Sequence, residues 1–258
     1  MIRDIVLIGS GNVATHLAGA IKGRIHTVFS RNYENAALLA ERIGARASSD
    51  FSSVSDIKPE IILVSVADNA VDSIVTSVGA LDYNPLVAHT SGTVPKEALS
   101  PISRRTGVLY PLQTFSKNTL VDMNLVPFFT EAMDSSDYDI LDSLALSISG
   151  IVHHADASKR RRLHIAGVFS SNFIVALFEI TDKILSESGY PLETVKPLVE
   201  ATVAKAFRIG PFAAMTGPAV RGDKSVMELQ SKGLDGLDRK IYDMLSEYIV
   251  KKHNVHLK

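Results

Sequence analysis

The chain opens on Ile5-Val6-Leu7-Ile8-Gly9-Ser10-Gly11-Asn12-Val13-Ala14, and this stretch constrains the fold more than any other. Four apolar, mostly β-branched residues read as a buried strand. Gly9 and Gly11 follow at once and Ala14 comes three residues later, so a G-x-G-x-x-A turn opens a helix. Gly9 permits the tight turn, Gly11 lets backbone approach a pyrophosphate, and Ala14 lets the helix pack close to the strand. The helix start then aims unpaired N–H groups and its positive dipole end at phosphates. Gly9, Ser10, Gly11, Asn12 and Val13 are therefore expected to cradle a dinucleotide.

The second strand, Ile25-His26-Thr27-Val28-Phe29-Ser30, carries no acid at its tip to accept from ribose hydroxyls. It runs instead into Arg31 and Asn32. Arg31 lies ~20 residues past the glycines, where the ribose contact belongs, and a guanidinium there pairs with the 2′-phosphate of NADP. Ser30 and Asn32 add hydrogen bonds, so NADP(H) is the expected cofactor; a solvated surface arginine is the alternative.

At 258 residues, with 46% hydrophobic residues, the chain is long enough for one large domain or two modest ones. Its net charge of −1, from 27 basic and 28 acidic residues, gives no electrostatic reason to expect nucleic acid. The absence of cysteine excludes disulfides, thiolate metal sites and cysteine nucleophiles. We expect no leader segment, no apolar run long enough to span a bilayer, no membrane partner, and a cytoplasmic location.

Short apolar strands alternate with helical stretches through the first half, which predicts a parallel sheet covered on both faces. Strands are expected at 25–30, 59–66, 86–89, 107–110, 126–129 and 150–153, and helices at 34–43, 70–78 (capped by Asp68) and 138–147. From Asp156 alternation stops. A helix capped by Asp156 or Ser158 would run to about Ser188, ~48 Å at 1.5 Å per residue. Its middle, with Ile165, Val168, Phe169, Phe173, Ile174 and Leu177, is apolar on more than one face. One surface against a sheet domain cannot bury that. We therefore expect a Rossmann-type parallel sheet at 1–154, then an all-α domain at 155–258 that also builds a homodimer. Further helices are expected at 192–209, 217–229 and 234–251, the first kinked or restarted by Pro197.

Ligands of open parallel sheets sit beyond the carboxyl ends of the strands. Polar residues at these tips are Ser65 and Asp68, His89 to Ser91, and Tyr110 with Gln113. Val66, Ala67 and Ser91 are expected on the cofactor wall and Gln113 on the substrate. Hydride transfer to a carbonyl or imine needs a group that stabilises developing charge or supplies a proton. His89 is a candidate for it, and Ser91 a weaker one that equally suits a cap before Pro95. On the long helix, His164, Val168 and Asn172 recur every four residues, so His164 and Asn172 share a face. Asn172 would orient a substrate carbonyl or the nicotinamide carboxamide, or tie helices together.

Lys159-Arg160-Arg161-Arg162, at the start of that helix, reads as a solvated face; an anion is the alternative. In Thr216-Gly217-Pro218-Ala219-Val220-Arg221-Gly222-Asp223, Thr216 and Arg221 would hold a substrate carboxylate or phosphate, or Arg221 would pair with Asp223. Metal binding is not expected, since adjacent His153 and His154 face opposite ways on a strand.

Together Gly9 to Ala14, Ser30-Arg31, His89-Thr90-Ser91-Gly92, Tyr110-Pro111-Leu112-Gln113-Thr114-Phe115, His164 to Asn172 and Thr216 to Asp223 carry a resemblance. The chain resembles the Rossmann-like NADP oxidoreductases with an uncharacterised helical C-terminal domain. Its N-terminal half is similar to pyrroline-5-carboxylate reductase, ketopantoate reductase and deazaflavin-dependent NADP reductase. The resemblance implies a 6-phosphogluconate-dehydrogenase-like helical second domain, often dimeric. Ketopantoate reductases and β-hydroxyacid dehydrogenases carry a catalytic lysine four residues before the helical asparagine, where this chain has Val168. A valine donates no proton, so the acid passes to His164 or His89, or the reaction differs. The leading expectation is an NADPH-dependent reductase of a small, anionic carbonyl or imine. A non-catalytic NADP(H)- or ligand-sensing protein is the competing reading, and hydride exchange with a deazaflavin the third.

Overall fold

Ile5 and Leu7 belong to one apolar cluster and Val6 and Ile8 to another, and all four are fully buried in strand β1 (Ile5–Ile8). The period of two sends alternate side chains to opposite faces, so an all-apolar strand requires cover on both. Helices α1 (Asn12–Ala20) and α2 (Tyr33–Ile43), on either side of β2 (Ile25–Phe29), supply one layer through Leu17, Ala18, Ala36 and Leu39. After β3 (Arg46–Ser48), the opposite layer comes from α3 (Val54–Ile57) and, past β4 (Ile61–Val64), from α4 (Val71–Val78). Strands β5 (Leu86–His89), β6 (Thr106–Pro111) and β7 (Phe128–Ala132) follow, then α5 (Ser135–Leu146) and β8 (Val152–His154).

This computed structural model describes residues 4–256, with side chains to 253. Its eight strands lie in the order β3-β2-β1-β4-β5-β6-β7-β8, with neighbours parallel except for β6 and β7. The antiparallel pair departs from the expected parallel sheet. Between β6 and β7 the chain forms only the 3-10 turn Met123–Leu125, and a parallel return needs a longer crossover, usually a helix. Strand β3 is new relative to the sequence reading; three residues with a polar Arg46 and Ser48 give no apolar run to detect. The order reverses direction between β1 and β4, the place where such sheets bind ligands.

The compact units are Met1–Asn172 and Phe173–Lys258. Against the domain boundary expected at 154/155, α6 (Ala157–Gly167) falls within the first compact unit. Asp156 caps α6 by accepting from Lys159 N at 2.8 Å, as expected. A π turn, Val168–Asn172, follows. The helix continues as α7 (Phe173–Glu187), and Gly189 at φ +77° succeeds it as the expected stop. Taken whole, Ala157–Glu187 is, by length and composition, long and apolar enough to cross a membrane. Ser170, Ser171 and Asn172 interrupt its apolar residues, so the sequence holds no unbroken run there.

The second unit continues with α8 (Lys196–Ile209), α9 (Pro211–Ala214), α10 (Pro218–Arg221), α11 (Lys224–Lys232) and α12 (Gly236–His256). Pro197 restarts the chain as α8 after a 3-10 turn, Leu192–Val195. None of α7, α8 or α9 contains a buried residue.

Candidate functional site

The glycine turn has the backbone its sequence demands. Gly9 has φ +124°, and a Cβ there would lie 2.0 Å from the Ser65 carbonyl oxygen at the end of β4. A Cβ on Gly11 would meet nothing within 4 Å, so backbone at this point faces open space. Helix α1 starts with no side-chain cap and no acid in its first turn. Its leading N–H groups are thus left for an anion. These features fit a pyrophosphate.

A cavity of about 490 Å³ runs from this turn across the switch point. It gathers the predicted Gly9 to Val13, Ser30, Arg31, Val66, Ala67, Ser91, Gln113 and His164. Ser10 Oγ donates to Ser30 Oγ at 3.0 Å, tying the glycine turn to the tip of β2. Asn32 is not on this wall; its side chain accepts from Asn35 N at 3.1 Å and caps α2. Asn12 lines the cavity, but its amide donates to the Phe115 carbonyl at 2.9 Å and so holds the loop after β6. Asp68 does not cap α4, whose N-cap is Ala70; it accepts a hydrogen bond from Thr93 Oγ1 and lines the same cavity.

A second cavity of about 480 Å³ shares Tyr110, Gln113 and His164 with the first and extends to Ser170, Ser171 and Asn172. The π turn alters the four-residue register the sequence implied, yet His164 and Asn172 still face one cavity. Such turns occur often at functional sites. Where the cavities join, Tyr110 Oη lies 3.3 Å from His164 Nδ1. Burial, then the charge of Asp68, raise the Tyr110 hydroxyl above its ordinary pKa, so it stays protonated and able to donate.

His89 does not reach either cavity. It is 1% exposed, and its Nδ1 accepts from Ser91 N at 3.1 Å. Burial, reinforced by the Arg160 charge, lowers it to about 4, which makes it a neutral structural group rather than the expected acid. Ser91 serves the turn it resembles, its Oγ accepting from Thr93 N and Val94 N, each at 3.0 Å.

The basic run is not a solvated face throughout. Arg160 is fully buried; its guanidinium donates to Glu131 and, at 2.8 Å, to the Val94 carbonyl. Glu131 also accepts from Lys96 Nζ at 2.7 Å. The anion facing the helix start is thus a glutamate of the chain itself. Sequence could not reveal this, because Glu131 lies in an otherwise ordinary strand. Tyr110 stood among the strand-tip residues without a role, and Gly92 gave no signal beyond its motif.

Thr216 and Arg221 belong to the second unit, where Gly217 at φ +96° precedes α10. The alternative Arg221–Asp223 pair is not among the ion pairs of the described residues; Asp223 accepts from Val226 N at 3.3 Å and caps α11. The His153 ring lies tilted against Phe129 and His154 pairs with Asp142, and no group of residues suited to a metal occurs among the described residues.

Sheet order, glycine turn and groove define a Rossmann-type dinucleotide-binding protein. Residues 4–91 match the family described as NADP oxidoreductase, coenzyme F420-dependent, and residues 126–249 match the domain of unknown function DUF2520. The Bacteroides fragilis protein BF3122, described as a putative NADP oxidoreductase, is 33% identical over 96% of this chain and 98% of its own, with a TM-score of 0.88. The chain belongs to this family of NADP oxidoreductases, and its class is that of an oxidoreductase enzyme. The fold is shared with an Aspergillus terreus reductive aminase in complex with NADPH and ethyl-5-oxohexanoate (13% identity, 98% and 95% of the two chains, TM-score 0.74). It is shared also with 1-pyrroline-5-carboxylate reductase of Streptococcus pyogenes (14%, 96% and 98%, TM-score 0.64). No curated protein matches the chain.

Proposed function

We propose that the protein is an NADPH-dependent, cytoplasmic reductase of a small carbonyl or imine compound, anionic in class, and that it works as a homodimer. The observation that carries this reading is the junction of two cavities of nearly equal volume at Tyr110 and His164. One has the features of a nucleotide groove, and the other is left for a substrate. Gly9 to Val13 would hold the pyrophosphate and Arg31 with Ser30 the 2′-phosphate. NADPH bound there would supply hydride. Tyr110 and His164 hold the proton that an oxygen or nitrogen takes up on reduction, and Asn172 and Gln113 orient the reacting group. His89 has no part in this.

Thr216 and Arg221 remain the residues proposed to hold an anionic group; Asp223, engaged as the cap of α11, does not occupy Arg221. A neutral substrate is the second reading, favoured by the second cavity, whose wall holds no Lys, Arg, Asp or Glu. Support for a dimer comes from the second unit, where Phe207 is 89% exposed and Leu229 73%. In this reading residues 1–154 bind the nucleotide and 155–258 serve substrate and dimer.

Calorimetric titration with NADPH and NADH, followed by a carbonyl and imine screen, tests the proposal. NADPH binds at least ~10-fold more tightly than NADH, and Arg31→Ala removes that preference, as loss of one charge-assisted phosphate contact predicts. Equal weakening of both nucleotides by Arg31→Ala refutes the role of Arg31. Binding without turnover of any substrate points to the sensor.

A further inference from the structure

Three elements converge behind the Tyr110–His164 hydrogen bond. Tyr110 lies in β6, His164 in the last turn of α6, and Gly92 in the segment after β5. A Cβ added to Gly92 would lie 3.0 Å from Tyr110 Cζ and 3.1 Å from both Cβ and Nδ1 of His164. Side-chain contacts this close are rare, so one or both partners would have to give way. Gly92 has no positive φ, which means backbone conformation does not require glycine here. Space between the two partners does.

Arg160 lies one turn before His164 on the same helix, and i and i+4 share a face. Its buried guanidinium bonds Glu131 of β7 and, at 2.8 Å, the Val94 carbonyl, two residues beyond Gly92. One side chain thus ties the helix that carries His164 both to the sheet and to the segment that carries Gly92. A buried arginine paired to a buried carboxylate contributes little net stability against an apolar pair, since desolvation offsets attraction. It does enforce one geometry, as an apolar contact would not.

We propose that Gly92 and Arg160 are positioning residues that set the His164 imidazole against the Tyr110 hydroxyl. The proposal rests on the reading of that pair as the proton-handling group, but it is tested separately. In full-length protein labelled with 15N-histidine, the His164 Nδ1 resonance reports its hydrogen bond, and Tyr110→Phe defines the unbonded position. Gly92→Ala moves the resonance more than halfway toward that position in a variant that circular dichroism shows to be folded. Arg160→Lys, which keeps the charge against Glu131 but not the planar fork, moves it the same way; should it fail to fold, Glu131→Gln loosens the same anchor and is read instead. A wild-type resonance in a folded variant removes that residue from the proposal. With a substrate found by screening, kcat in Gly92→Ala falls roughly 10- to 100-fold, the cost of a sub-ångström to ångström misplacement. Wild-type turnover in both Tyr110→Phe and His164→Ala refutes the proton-handling reading and leaves the resonance result standing.

Discussion

The two units bury their apolar side chains in opposite ways. In the first, Ile5, Leu7, Leu63 and Leu86 are fully buried, and the sheet has an apolar cluster on each face. In the second, helices α7 and α8 bury no residue, and Leu198, Phe207, Leu237 and Met244 are largely exposed. The first unit satisfies its hydrophobic pattern within one chain. The second has no comparable core, and its exposed apolar side chains are the surface that the proposed dimer would cover.

Substitutions can break or sharpen that contrast. Leu63→Ala should cost about 2–5 kcal/mol, the range for truncating a fully buried leucine, with no dependence on protein concentration. Leu229→Ala in the other unit should change the unfolding free energy, read by denaturant titration of dilute protein, by less than about 0.5 kcal/mol. Equal costs would show that the second unit has a core of its own.

A second difference is titratable. His89 is buried in the first unit at a value of about 4 against an ordinary 6.5. In the folded protein it stays neutral while the unfolded chain binds a proton below pH 6.5. Its contribution is therefore complete above pH 6.5 and is lost as pH falls toward 4, by about 3 kcal/mol. Denaturant unfolding at pH 7 and 4.5 checks this. His89→Asn should flatten the dependence; an unchanged slope would assign it to other groups.

The proposed dimer supplies the next test. Phe207→Asp should weaken self-association by about 2 kcal/mol, roughly 30-fold in dissociation constant, if Phe207 is an interface anchor. Sedimentation across a concentration series reads it directly, and an unaltered profile would move the interface off α8. The smallest effect is local to the first unit. Ser91→Ala removes the acceptor for Thr93 N and Val94 N. It should cost about 1 kcal/mol, seen as a thermal midpoint lower by about 2–4 °C.

The glycine turn was legible because each of its residues answers a local backbone demand, and Gly9 at φ +124° is the clearest instance. The place of Arg31 on the wall of the first cavity was legible because spacing along a strand fixes where its tip falls. Asn32 was misread as a ligand because a cap and a binding residue use the same short polar side chain. His89 was misread for a related reason: a strand end carries its last residue either into the cleft or back under the sheet, and sequence does not distinguish the two. The solvated reading of Lys159 to Arg162 failed at Arg160, where a partner 29 residues away compensates its burial.

By itself the sequence determined the alternating architecture, the dinucleotide turn and the switch to helices after Asp156. These follow from periodicity and backbone preference, which act over a few residues. Tertiary structure alone decided that β7 runs antiparallel, that Arg160 is buried against Glu131, and that Tyr110 rather than His89 meets His164. Those outcomes depend on contacts between residues far apart in the chain. Such contacts are selected by packing density and by the high cost of leaving a buried charge unpaired, and no local pattern encodes them.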